Sequence, residues 1–101
     1  MGLDIYFYDK DNKEYFLAEI SKKLHNQIFY KNVSSEQWGI LSKIKHYYGI
    51  EVNLNRDQII EFIERLEAIK SNIPDEFTNE IDELKSILSN KEYRYITIAG
   101  D

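Results

Sequence analysis

Residues 54–74, Leu-Asn-Arg-Asp-Gln-Ile-Ile-Glu-Phe-Ile-Glu-Arg-Leu-Glu-Ala-Ile-Lys-Ser-Asn-Ile-Pro, constrain the fold more than any other stretch. Asn55 suits an N-cap, because its side-chain oxygen can accept a first-turn N–H that has no partner within the helix. Gln58, three residues on, completes a capping box, and Leu54 and Ile59 fall at the two positions of a hydrophobic staple. Ile59, Phe62, Ile63, Leu66, Ile69 and Ile73 recur at helical spacing and make one broad apolar stripe. Pro74 disfavours helical geometry at Ile73 and ends the element. A helix over about 56–72 with so wide a stripe is stable only if the rest of the chain covers it.

Cover is available on both sides. Ser34 and Gln37 form a second capping box, with Val33 and Trp38 as its staple. A helix over about 35–48 follows, with Trp38, Leu41, Ile44, Tyr47 and Tyr48 on its apolar side and Gly49 as a left-handed stop. Asp75 and Glu76 put negative charge in a first turn, and Phe77, Ile81, Leu84 and Leu88 mark an amphipathic helix over about 75–89. Between these helices, Ile50, Val52 and Leu54 alternate with polar residues as an extended link.

The chain ends read as strands. Leu3, Ile5 and Phe7 alternate with Asp4, Tyr6 and Tyr8 over 3–8. The polar run Asp9-Lys10-Asp11-Asn12 is a turn, after which 13–19 reads as the second strand of a hairpin, with Ser21 capping a short helix over about 21–30. A single helix from Glu14 to Phe29 is the competing reading; the short polar turn and Tyr15-Phe16-Leu17 favour the hairpin. Paired across Asp9–Asn12, Tyr6 would oppose Tyr15. The segment 92–99 closes the chain as a strand, with Tyr93, Tyr95 and Thr97 on one face. A lone strand leaves its backbone groups unsatisfied, so the two ends are expected to pair. The whole is one α+β domain over 1–101: a small antiparallel sheet with three to four amphipathic helices on one face.

The chemistry expected of this sequence is sparse. With no cysteine, disulfides and thiolate sites are excluded. His25 and His46 have no partner at ligand spacing, and neither a Gly-x-Ser-x-Gly elbow nor a Gly-rich phosphate loop is present. No catalytic residue, cofactor or metal is therefore expected. No apolar run is long enough to cross a bilayer, the first residues lack a signal-peptide pattern, and Tyr6 stands where a myristoylation motif has Ser or Thr, so a cytoplasmic protein is expected.

Charge is more informative. The net charge of −5 is uneven: −3 over residues 1–21, +4 over 22–56 and −6 over 57–101. Overall acidity argues against direct nucleic-acid binding and for a basic partner. The basic middle segment interleaves Lys22, Lys23, Lys31, Lys43, Lys45 and Arg56 with Trp38, Tyr47 and Tyr48, but periodicity gives those aromatics to the core. Tyrosine concentrates in the strands, where it is a natural contact residue. The expected partner surface is Tyr6, Tyr8, Tyr93 and Tyr95 with Glu61, Glu64, Glu80 and Glu83. The function that follows is binding and occlusion of another macromolecule, a protein with a basic groove. A structural homo-oligomer joined through a sheet edge, or a small ligand-binding protein or enzyme using His25 or His46, is the alternative.

The opening Met1-Gly2-Leu3-Asp4-Ile5-Tyr6-Phe7-Tyr8 resembles a group of small uncharacterised phage and prophage proteins that begin Met-Gly-Leu-Asp followed by hydrophobic residues and tyrosine. The similarity extends to Phe29, to Asn32-Val33 and to Glu51-Val52-Asn53-Leu54-Asn55-Arg56. It departs at Ala18-Glu19-Ile20-Ser21-Lys22, where those proteins often carry a Trp/Tyr-Arg-Lys run. The resemblance implies an origin in a mobile element and carries over no functional residue.

Overall fold

The computed structural model describes residues 2–90 and 93–100. The first and last parts of the chain meet in one four-stranded sheet built from β1 (Gly2–Tyr8), β2 (Glu14–Ser21), β3 (Glu51–Asn55) and β4 (Tyr95–Ala99). The strand order is β2-β1-β4-β3, and every neighbouring pair is antiparallel. The hairpin reading of the N-terminal region is therefore correct, and the alternating link at Val52 and Leu54 is a full edge strand. The expected closing strand is shorter than 92–99: it starts at Tyr95, and Glu92 lies outside the described residues.

The hairpin turn is one residue longer than the sequence suggested. One Asp9 carboxylate oxygen accepts the backbone N–H groups of Asp11 at 2.8 Å and Lys13 at 2.9 Å, and Asn12 takes a left-handed φ of 61°. Five residues, Asp9 to Lys13, separate the strands, so Tyr6 faces Phe16 and Phe7 faces Tyr15. A one-residue change in register turns every side chain to the other face of the sheet. Tyr15 accordingly lies on the helix side, stacked on Phe7 at 5.0 Å, and Phe16 takes the outer position. A bulge at Leu17 restores the inward direction of Ala18 and Ile20.

The helices cover one face. Ser21 caps α1 (Lys22–Asn26), its hydroxyl accepting the Leu24 N–H at 3.1 Å. A π-type turn over Gln27–Lys31 extends it to about the expected end. The principal helix, α2 (Arg56–Ile69), carries the full capping box: Asn55 Oδ1 accepts the Gln58 N–H and Gln58 Oε1 accepts the Asn55 N–H, both at 2.9 Å. Ile59, Phe62, Leu66 and Ile69 of α2 are buried with Ile81, Leu84 and Leu88 of α3 (Thr78–Leu88) against Leu3, Ile5, Leu54, Ile96 and Ile98 of the sheet.

The helix expected over 35–48 is absent. Two 3-10 turns, Ser35–Gln37 and Gly39–Ile44, stand in its place. Gly39 has φ +52°, a left-handed conformation that a continuing α-helix does not accommodate. Leu41 and Ile44 still reach the core, whereas Tyr48 is 64% exposed. Among the described residues, no helix is long and apolar enough to cross a membrane.

Candidate functional site

The sheet has an uncovered outer face, and pairing register dictates what lies on it. Three rows of side chains run across the strands from β2 to β3. The first is Glu19, Asp4, Ala99 and Glu51; the second is Phe16, Tyr6, Thr97 and Asn53. The third joins Glu14 and Tyr8 to Tyr95 and Asn55, with the Tyr8 and Tyr95 rings stacked at 5.4 Å and 16°. The strands contain four carboxylates, Asp4, Glu14, Glu19 and Glu51, and no Lys, Arg or His. All four carboxylates fall on this face.

Local contacts hold the aromatic rings in place. Tyr8 donates its hydroxyl hydrogen to Glu14 at 2.6 Å, and Tyr6 donates to Asp4 at 3.4 Å. Hydrogen bonding to the Glu14 carboxylate raises the Tyr8 pKa, because ionising the phenol would lose that bond and set two negative charges together. Phe16 meets Tyr6 edge-on at 5.9 Å and is 59% exposed. Thr97 is only 4% exposed although it faces outward, and it donates to Asn53 Oδ1 at 2.6 Å. It forms the floor of a shallow depression of about 360 Å³ walled by Tyr8, Tyr95, Glu51 and Asn53.

The residues expected from sequence to form one partner surface lie in three places. Tyr6, Tyr8 and Tyr95 share the open sheet face. Tyr93 precedes β4, is 7% exposed, and packs on Phe7 at 4.7 Å on the helix side. Glu61, Glu64 and Glu83 are exposed on the helices, while Glu80 accepts both the N–H and the hydroxyl of Ser21 at 2.8 Å each. Sequence reasoning missed Phe16, Asp4, Glu14, Glu19 and Glu51. Alternation already set Asp4 beside Tyr6 and Tyr8; the segments read as strands included Lys13 and Arg94, which fall outside β2 and β4, so a sheet free of bases emerged only with the observed bounds.

No family model, no curated protein and no solved structure matches this chain.

The histidines are differently placed. His25 is 2% exposed, and its Nε2 lies 2.8 Å from the Ile44 carbonyl oxygen. A carbonyl only accepts, so Nε2 carries hydrogen. The ring ties α1 to the Gly39–Ile44 turn, and burial pushes its pKa below the usual histidine range. His46 is exposed. Both line one cavity of about 350 Å³ with Tyr30, Tyr47 and Tyr48. Among the described residues, no three His, Asp or Glu side chains are grouped so as to hold a metal ion.

Proposed function

We propose that this protein is a non-enzymatic binding module that lays its open sheet face on a basic surface of another protein and occludes it. The observation that carries this reading is the composition of that face: exposed or half-exposed aromatic rings set among four carboxylates with no base in any strand. Aromatic anchors supply contact area at little entropic cost, and a field of one sign selects a partner of the other and speeds its approach. Inhibitors, immunity proteins and phage anti-defence proteins act by such occlusion, and the resemblance of residues 1–8 to phage proteins suits that setting.

The test is quantitative capture from host lysate by immobilised wild-type protein and two charge-reversed variants. Glu19→Lys with Glu51→Lys should abolish capture of the partner, and the loss should be mimicked by raising salt. Glu61→Lys with Glu64→Lys, on α2, should leave capture intact. A partner retained equally by all three proteins rejects the sheet face. β2 and β3 are both sheet edges, which supports a second reading as a homo-oligomer paired through an edge. Light scattering over a concentration series decides it: a monomer at every concentration removes the oligomer reading.

A further inference from the structure

We propose a second binding site, for a base–phosphate unit, in the cavity between α1 and the segment 46–48. It shares no residue with the sheet face. Its volume, about 350 Å³, falls within the range of small-ligand sites, roughly 300–1,000 Å³. Tyr30 and Tyr48, the two most exposed aromatic side chains among the described residues at 63% and 64%, both line it. Periodicity assigned Tyr48 to the core, and its exposure removes the reason for discounting the basic, aromatic middle of the chain as a contact surface.

The charge of the lining narrows the ligand. Lys22 holds its ammonium 5.6 Å from the Tyr47 ring centre and 5.9 Å from that of Tyr48, with the Tyr48 hydroxyl at 3.4 Å. This places a cation at the cavity wall. The chain has 18 acidic residues against 13 basic ones, yet among the described residues no carboxylate lines this cavity. From residue 22 to residue 50 the sequence has five lysines and one acid, Glu36. A cationic ligand would be repelled by Lys22; an anion is drawn to it.

The tyrosine rings and Asn26 supply the rest. An exposed ring offers its face to any nucleobase, and stacking of this kind tolerates every base. The Asn26 amide, also in the lining, carries both donors and an acceptor for a base edge. The ligand is thus a planar base with a phosphate, from a free nucleotide or a single strand: the base stacks on Tyr30 or Tyr48 and the phosphate meets Lys22.

The test uses the full chain with three probes at about 50 mM salt: adenosine monophosphate, adenosine, and a fluorescein-labelled oligothymidylate of about ten residues. Titrations are followed by NMR for the first two and by fluorescence anisotropy for the third. The monophosphate should bind at least about tenfold more tightly than adenosine. Removing the ring that carries the base, by Tyr30→Ala or by Tyr48→Ala, should weaken binding about 5- to 100-fold, while Tyr48→Phe, which keeps the ring, should not. Lys22→Gln should lower the salt dependence of oligonucleotide binding by about one phosphate contact, and it reports on the same site should an alanine variant fail to fold. Tighter binding of the oligonucleotide assigns the unit to a single strand, and equal or tighter binding of the monophosphate assigns it to a free nucleotide. The proposal is overturned if neither phosphate probe binds at about 1 mM, if adenosine binds as tightly as its phosphate, or if loss of both rings leaves affinity unchanged. Phe16→Ser, on the sheet face, should have no effect, so this result is independent of the function proposed above.

Discussion

Asp4 and Glu19 stand directly opposite each other across β1 and β2 on the uncovered face of the sheet. Among the described residues neither takes part in an ion pair. Like charges at directly opposed strand positions destabilise a sheet, by an amount comparable to the roughly 0.2–1 kcal/mol that a good cross-strand pair contributes. The fold therefore gains nothing from this pair, whereas a basic partner laid over it would relieve the repulsion. Glu19→Lys turns repulsion into attraction, so it should raise stability by up to about 1 kcal/mol while weakening partner binding. Urea denaturation and partner titration of the one variant check both signs; a variant less stable than wild type rejects the argument.

Phe16 should show the same separation of binding from stability. Its ring is mostly exposed and touches Tyr6 edge-on, so Phe16→Ser should change stability by less than about 1 kcal/mol. A buried aromatic at the centre of an interface often contributes 2 kcal/mol or more to binding. Partner affinity should therefore fall by tenfold or more with the melting temperature nearly unchanged. A parallel loss of both would make Phe16 a structural residue.

Where the sequence was legible and where it was not has a common physical cause. Short-range signals survived: the Asn55–Gln58 capping box, the Ser21 cap and the stripe of α2 involve residues within a few positions of one another, and each forms as expected. The face of each strand depended on the turn. The two N–H groups bound by the Asp9 carboxylate lengthen that turn by one residue, which sends Tyr15 inward and Phe16 outward. Alternation also failed at Tyr93, which lies ahead of the regular strand and packs where Phe7 offers a ring. The helix read over 35–48 spans Gly39, whose φ is left-handed and whose α-carbon lies close beside the Arg65 side chain of α2, a neighbour distant in sequence.

Gly39 and Gly49 provide a matched test of that account. Both have positive φ, +52° and +67°. A methyl group on Gly49 would meet nothing within 4 Å, but one on Gly39 would lie 2.8 Å from Arg65 Nε. Gly49→Ala should cost only the backbone strain, about 1–2 kcal/mol. Gly39→Ala should cost more, and the excess should shrink in the background Arg65→Ala. Equal costs for the two glycines in wild type would show that the Arg65 contact yields freely.

The buried imidazole of His25 predicts how stability changes with pH. Burial lowers its pKa in the folded protein below the ordinary value of 6.5. Above about pH 6.5 the ring is neutral in both states and its contribution is complete. As pH falls below that value the unfolded chain takes up a proton that the folded chain does not, so stability declines until the folded pKa is reached. Denaturation midpoints measured between about pH 5 and 8 should fall towards the acid end, and His25→Gln should flatten that part of the profile. An unchanged slope in the His25 variant would assign the acid sensitivity to other groups.

Glu80 separates structural from free carboxylates among the acids of the C-terminal half. Its two oxygens accept the Ser21 N–H and hydroxyl, joining α3 to the junction of β2 and α1. Ser21 in turn caps α1 through Leu24, so the three groups form one chain of hydrogen bonds. Removing the carboxylate leaves a half-buried backbone donor without its partner, a loss of about 1–3 kcal/mol. Glu83, one turn further along the same helix, is exposed, and substitutions at such positions usually stay within about 0.5 kcal/mol. Glu80→Ala should therefore lower the urea midpoint clearly and Glu83→Ala should not. In the background Ser21→Ala, where the hydroxyl is already absent, the cost of Glu80→Ala should be smaller by the coupling between the two side chains. Full additivity of the two substitutions would mean that the Ser21 hydroxyl contributes nothing through Glu80, leaving the backbone N–H as the only group that Glu80 holds.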